Sequence, residues 1–200
     1  MKMSPEKVLT LLNNHQIDEL KAYALDALEA EKAHQKGGAS EVARRNAAIR
    51  YIKGIGKITK NESLHGVWYE DGYQYFSNSY SVFRFNEGHH INGLPEISST
   101  CQKFNAARVF DIEYLTAENT EWITQTALKL EIAKWRVDGK LDILCSIKVG
   151  LSYYDMRLLL DSLQILGVES ADIKQFGEIK PGLITLEGRS ALVYSIKMEN

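Results

Sequence analysis

Cysteine is scarce in this chain. Of 200 residues only Cys101 and Cys145 carry thiols, and no CxxC or finger-like spacing links them. That argues against a disulfide framework and for a reduced, cytoplasmic chain with buried thiols. A long apolar run is missing as well. Nothing approaches the roughly 20 residues of a membrane span, and the opening MKMSPEKVLTLLNNHQ lacks the continuous apolar stretch of a signal peptide. Nor is there an excess of positive charge. A formal net charge of -2 disfavours a broadly basic nucleic-acid binder while leaving room for a local basic stripe.

Motifs that carry chemistry are lacking too. GIGK at 54–57 has neither the spacing nor the Ser/Thr of a phosphate loop. Asp111 and Glu113 stand without a partner motif. His89 and His90, taken with His65 and Glu87, show neither the i, i+4 nor the finger spacing of a metal site. No catalytic residue, metal or cofactor is expected, and the chain reads as a non-enzyme.

What is present is an ordinary globular composition, 44% hydrophobic and 25% charged, enough to build a core. Residues 1–37 read as a helical hairpin. Ser4 and Pro5 suit a helix start, Val8, Leu9, Leu11 and Leu12 form a stripe, and Ile17, Leu20 and Leu28 continue it after NNHQ. A third helix is expected over 40–58. At 100° per residue Ala47, Ala48, Tyr51, Ile52, Ile55 and Ile58 fall on one side, and Arg50, Lys53, Lys57 and Lys60 on the other. Gly54 and Gly56 weaken its second half by about 1 kcal/mol each.

The period then changes. Strands are expected at 64–70 and 73–77 around the turn EDG, and again at 80–86, with a loop at 87–100. The aromatics here, among them Trp68, Tyr75, Phe76, Phe83 and Phe85, fit half-buried sheet faces better than a base-stacking platform. Residues 117–136 read mostly as one helix entered at Thr116, although VDGK at 137–140 suits a hairpin turn. LDILCSIKV reads as a strand. SYYDMRLLLDSLQILG then reads as a helix over 152–166, with Ser152 as N-cap answered by Asp155 and Gly167 as the stop. Three short strands follow. The last alternates Leu192, Tyr194, Ile196 and Met198 against Val193, Ser195 and Lys197, as in a half-buried strand. Two helices, each leading into a strand meander, imply an α+β layer in which helices cover one face of an antiparallel sheet.

The segment SYYDMRLLLDSLQILGVESADIKQFGEIKPGLITLEGRSALVYSIKM resembles the closing half of a domain of the bacterial DNA polymerase III β sliding clamp. Helix 42–58 followed by LHGVWYEDGYQYFSNSYSVFRF resembles the opening helix and hairpin of the same domain type. The likeness spans roughly residues 40–200, with about 100–140 as a variable insertion, and extends to short clamp-like proteins of phage and prophage type. It implies an α+β fold: an N-terminal helical hairpin at 1–37 and one sliding-clamp-like domain at 40–200, an antiparallel sheet covered by helices. The implied role is a non-enzymatic accessory of DNA replication, whose partners are duplex DNA or replication proteins. Rings of that family use six such domains, so one domain per chain implies a homo-oligomer of six if a ring forms. Helices of this kind line the clamp's hole, which assigns Arg50, Lys53, Lys57 and Lys60 to sequence-independent phosphate contacts. The family's partner-peptide pocket has no residue that can be matched here. The alternative is a protein–protein interaction module with a clamp-like fold and no DNA role, using the helical hairpin.

Overall fold

The computed structural model describes residues 41–55, 60–98, 105–137, 140–141 and 145–197. The expected hairpin at 1–37, and Lys57, lie outside the described residues. Helix α1 spans Glu41–Ile55 and buries Ala47, Ala48, Tyr51, Ile52 and Ile55, the apolar side expected for it. A three-residue 3₁₀ turn at Glu62–Leu64, capped by Asn61, leads to β1 (Trp68–Glu70), β2 (Tyr73–Ser77) and β3 (Ser81–Asn86). The β1–β2 turn needs two left-handed residues to match strand twist, and Asp71 (φ 51°) and Gly72 (φ 77°) supply them. Next come α2 (Ala106–Val109), a 3₁₀ turn at Phe110–Tyr114, β4 (Asn119–Thr124) and α3 (Gln125–Lys134). Two-residue strands β5 (Arg136–Val137) and β6 (Lys140–Leu141) pair with each other. A hairpin of β7 (Ser146–Val149) and β8 (Ser152–Asp155) runs straight into α4 (Met156–Leu166), followed by β9 (Ser170–Gln175), β10 (Gly182–Leu186) and β11 (Arg189–Val193).

Seven strands form one antiparallel sheet in the order β1-β2-β3-β11-β10-β9-β4. Its centre is the β3–β11 pair, with Phe83 opposite Ala191 and Ser81 opposite Val193. Each side of that seam is a helix followed by a three-strand meander, α1-β1-β2-β3 and α4-β9-β10-β11. Alternation sorts the side chains. Phe76, Phe83, Phe85, Ile173, Ile184, Ala191 and Val193 face α1 and α4 in one cluster. Tyr75, Val82, Leu183 and Leu192 face the other way, where Ala106 and Phe110 cover them. Arg84 sits over the Phe110 ring at 4.3 Å and pairs with Glu113, fastening that cover to β3.

Four expectations are corrected. The helix expected over 152–166 begins only at Met156. Ser152–Asp155 are spent pairing with β7, the Ser152 hydroxyl donates to the Gly177 carbonyl, and Tyr154 is fully buried. The N-cap is Asp155, which accepts from the Arg157 amide. Residues 117–136 are not one helix, because Asn119–Thr124 pair with β9 along six positions and Thr124, not Thr116, caps α3. The strand expected at 64–70 is confined to Trp68–Glu70. Finally, β11 ends at Val193 and is not half-buried: Ala191, Leu192 and Val193 have no exposed surface, since both sheet faces are covered.

Candidate nucleic-acid interface

Because α1 turns its apolar stripe to the sheet, Ala43, Asn46, Arg50 and Lys53 are left along its exposed outer side. Helix α4 lies beside it on the same sheet face and points Met156, Leu159, Leu163 and Leu166 inward. Its Arg157 is exposed, and Leu160, Asp161 and Gln164 are half-buried. Arg44, near the start of α1, reaches the Ile165 carbonyl at the end of α4, while Arg50 and Tyr51 interact with Asp161 further back. The two helices therefore run antiparallel. Of the four cations singled out in the sequence, Arg50 and Lys53 share this outer face. Lys60 is exposed beyond the helix, and Lys57 lies outside the described residues.

The face is not uniformly basic. Arg50 Nη2 donates to Gln164 Oε1 at 3.0 Å, bridging the helices. Beside that bridge, burial pushes the Asp161 carboxyl up to about 6, opposed by Arg50, reinforced by Asp155 and opposed again by Arg157. Arg157 is tied to Asp155 through Nε–Oδ1 (2.9 Å) and Nη2–Oδ2 (2.5 Å). That carboxylate raises the Arg157 pKa, mainly through the hydrogen bond. What the helices present is thus a strip of alternating charge with Arg50 and Lys53 as its cationic end. No local signal in the sequence brings Asp161 near Arg50, because the two are far apart in the chain.

Behind this face a second pair of arginines is structural. Arg44 is buried, stacks over Phe85 with its guanidinium carbon 5.4 Å from the ring centre, and donates to Ile165 O (3.1 Å), His89 O (3.3 Å) and Glu41 (2.7 Å). Arg189 donates to Leu166 O at 2.5 Å. Together they satisfy carbonyls at the α4 C-terminus that have no partner within the helix. Burial lowers both guanidinium pKa values. Arg44, buried and bonded at three acceptors, is not free to meet a ligand.

The other candidates resolve into structure. Trp68, Tyr75, Phe76, Phe83 and Phe85 are buried, so they are sheet core rather than a stacking surface. His89 Nδ1 bonds Asn86 at 2.8 Å, and the His90 ring packs 5.3 Å from Tyr69. Glu113 is held by Arg84. Among the described residues no three His, Cys, Asp or Glu side chains converge as a metal site would require, and no helix is long and apolar enough to cross a membrane. Large exposed apolar side chains are spread over the described residues, among them Tyr69, Tyr80, Tyr114, Trp122, Leu130 and Ile179. A cleft of about 260 Å³, floored by Ile123, Leu128, Ile147 and Val149, opens beside Trp122.

A seven-stranded antiparallel sheet, built from two helix-and-meander halves with both helices on one face, defines the class: this is a sliding-clamp-like fold. Comparison with solved structures agrees. The chain is similar to the DNA polymerase III β subunit of Pseudomonas aeruginosa, with a TM-score of 0.51 at 8% identity, over 70% of this chain and 60% of that one. It is similar to the β sliding clamp of C. crescentus to the same score at 9% identity, over 79% and 63%. The likeness thus covers less than two thirds of either clamp's length. No family model matches the sequence, and no curated protein matches it.

Proposed function

We propose that this chain is a non-enzymatic accessory protein of DNA replication that holds duplex DNA weakly and without sequence preference, or docks a replication partner. The observation that carries this reading is the antiparallel helix pair, seated on one sheet face of a sliding-clamp-like fold, with Arg50 and Lys53 on its exposed side. Arg50, Lys53, Lys57 and Lys60 make the phosphate contacts. Each adds a little less than one unit to the slope of affinity against salt and reads no base. With so few contacts, retention on DNA comes from assembly around the duplex and not from tight local binding. The test is native mass at micromolar concentration with and without duplex DNA, repeated on the R50E/K53E/K57E variant. An assembly of about six subunits, or one formed only with DNA and lost in that variant while its unfolding curve is unchanged, is the expected result. A monomer or dimer indifferent to DNA overturns it.

A second reading, an interaction module with no DNA role, is favoured by the exposed Trp122 at the rim of the apolar cleft beside Ile123 and Leu128. It requires that charge reversal at Arg50 and Lys53 change nothing, and that deleting residues 1–37 abolish partner capture.

A further inference from the structure

The two edges of the seven-stranded sheet are unlike. Beside β1 the chain closes the edge itself: the Val67 amide donates to the Pro95 carbonyl, and the Val67 carbonyl accepts from the Ile97 amide. Beside β4 no described strand pairs with the outer edge, and a cleft of about 260 Å³ lies between it and β7. The Gln125 amide donates to the Glu169 carbonyl, and with the register of β4 on β9 this fixes where each backbone group points. Asn119, Glu121 and Ile123 turn their amides and carbonyls to β9. Thr120 and Trp122 turn both groups away from it, as Thr124 does its amide. Proteins ordinarily guard such an edge with lysine, proline or a bulge. The strand NTEWIT holds neither lysine nor proline, and at its centre stands Trp122, 63% exposed.

We propose that β4 is a pairing edge for β4 of a second copy of this chain, the two strands running antiparallel about a two-fold axis at Trp122. The register follows by elimination. Only outward-facing groups can bond across the axis, so even-numbered residues must meet even-numbered ones. Centring the pair on Ile123 runs each strand into α3, which begins at Gln125. Centring it on Glu121 sets two like charges directly opposite each other, which is destabilising. Centring it on Trp122 sets Glu121 opposite the partner's Ile123 and Thr120 opposite the partner's Thr124, with the two indoles side by side on the exposed face. The Trp122 amide and carbonyl then bond those of the partner's Trp122, and each Thr124 amide bonds the partner's Thr120 carbonyl. Asp172, the neighbour of Trp122 on β9, lies three strand spacings from its counterpart. That is about 14 Å, beyond the reach of unscreened repulsion at physiological salt. The contact is self-complementary and closes at two copies. It does not depend on the DNA reading.

Two indoles bury about 300–500 Å² between them. With the strand edges the pair falls near the roughly 1,200 Å² lower limit of specific interfaces, so it should dissociate at micromolar concentration. The experiment is sedimentation velocity of the full chain without DNA, from low to high micromolar concentration, with amide exchange measured on the same samples. The native chain should show a concentration-dependent doubling of mass, and R50E/K53E/K57E should show it too. Trp122→Lys, a charge on an exposed edge position, should lose that step at every concentration. Trp122→Thr keeps a strand-forming residue there and should weaken the step at least tenfold, which covers the case of a lysine variant that melts early. The Trp122 and Thr124 amides, which β9 leaves unprotected, should exchange more slowly as the doubled species forms. A mass that never doubles overturns the proposal, and so does a step that survives both Trp122 variants. Association that leaves those two amides unprotected overturns the strand pairing. The charge-reversed variant keeps the DNA reading separate, since its loss of DNA binding should leave the pair intact.

Discussion

Replacing Gly167 with alanine probes the most crowded joint of the helix layer. Gly167 ends α4 in the left-handed region at φ 78°, a conformation that costs an L-residue about 1–2 kcal/mol. An added Cβ would also stand 2.7 Å from Cδ and 3.0 Å from Cγ of Arg44. These carbons lie midway along a side chain whose far end is fixed to Ile165 O, His89 O and Glu41, so it cannot swing aside without losing part of that grip. A hydrogen bond from a charged donor contributes about 1.5–3 kcal/mol, and its loss here strands a buried carbonyl. One such loss plus the backbone cost gives roughly 2.5–5 kcal/mol for Gly167→Ala. In an Arg44→Ala background the obstruction is gone, and the same change should cost only the backbone term, about 1–2 kcal/mol. Urea denaturation of the native chain, both single variants and the double variant gives the coupling directly. Additivity within about 0.5 kcal/mol would show that Arg44 and Gly167 do not share a constraint, and would refute the reasoning.

Three further outcomes follow from the same contacts. Because the Asp161 carboxyl is raised from 3.8 to about 6 in the folded chain, the native state holds its proton more tightly than the unfolded chain does. Its contribution is therefore greatest below pH 4 and is lost as pH rises to 6, so the stability of Asp161→Asn relative to the native chain should improve by roughly 1–3 kcal/mol between pH 4 and 7. An unchanged gap in guanidinium melts at the two pH values would refute this. Leu163→Ala, at a fully buried α4 position facing the sheet, should cost about 2–5 kcal/mol by chemical denaturation. Glu113→Gln leaves Arg84 without its ion-pair partner beneath Phe110, and should loosen the 105–115 cover, read as faster limited proteolysis there with the sheet amides still protected from exchange.

The parts legible in the sequence are those whose cause is local. Strands β2, β3 and β10 announce themselves by aromatic and β-branched density, the Asp71-Gly72 turn by its left-handed residues, and the end of α4 by Gly167. The errors are equally physical. Ser152 and Asp155 imitate a capping pair three residues apart, but the strand that claims them, β7, sits on the other side of a glycine turn, and local spacing cannot weigh that competition. Strand β4 exists because β9 pairs with it some fifty residues later, while its own sequence is neutral between helix and strand. On the candidate site, exposure of Arg50 and Lys53 follows from helical geometry alone. The bond from Arg50 to Gln164 does not, since its partner lies 114 positions away. Arg44 shows the same limit: nothing in its local sequence marks it as the buried tie between α1, α4 and the loop at His89.

The central seam bears on how the chain comes to be folded at all. Strand β11 occupies the middle of the sheet, yet β3, against which it closes, is made more than a hundred residues earlier. Closing a loop of that length costs about 4 kcal/mol of chain entropy before any contact across it repays the cost. On a ribosome adding about 5–20 residues per second, β3 waits with a bare edge for roughly 5–20 s. The first meander must therefore survive as a half-built layer, its phenylalanines shielded by α1 but not yet by α4, and the cooperative step belongs to the moment after residue 193 emerges. A chain cut before Arg189 loses the strand that makes one sheet of two, leaving a pair of open-edged fragments rather than a shortened protein.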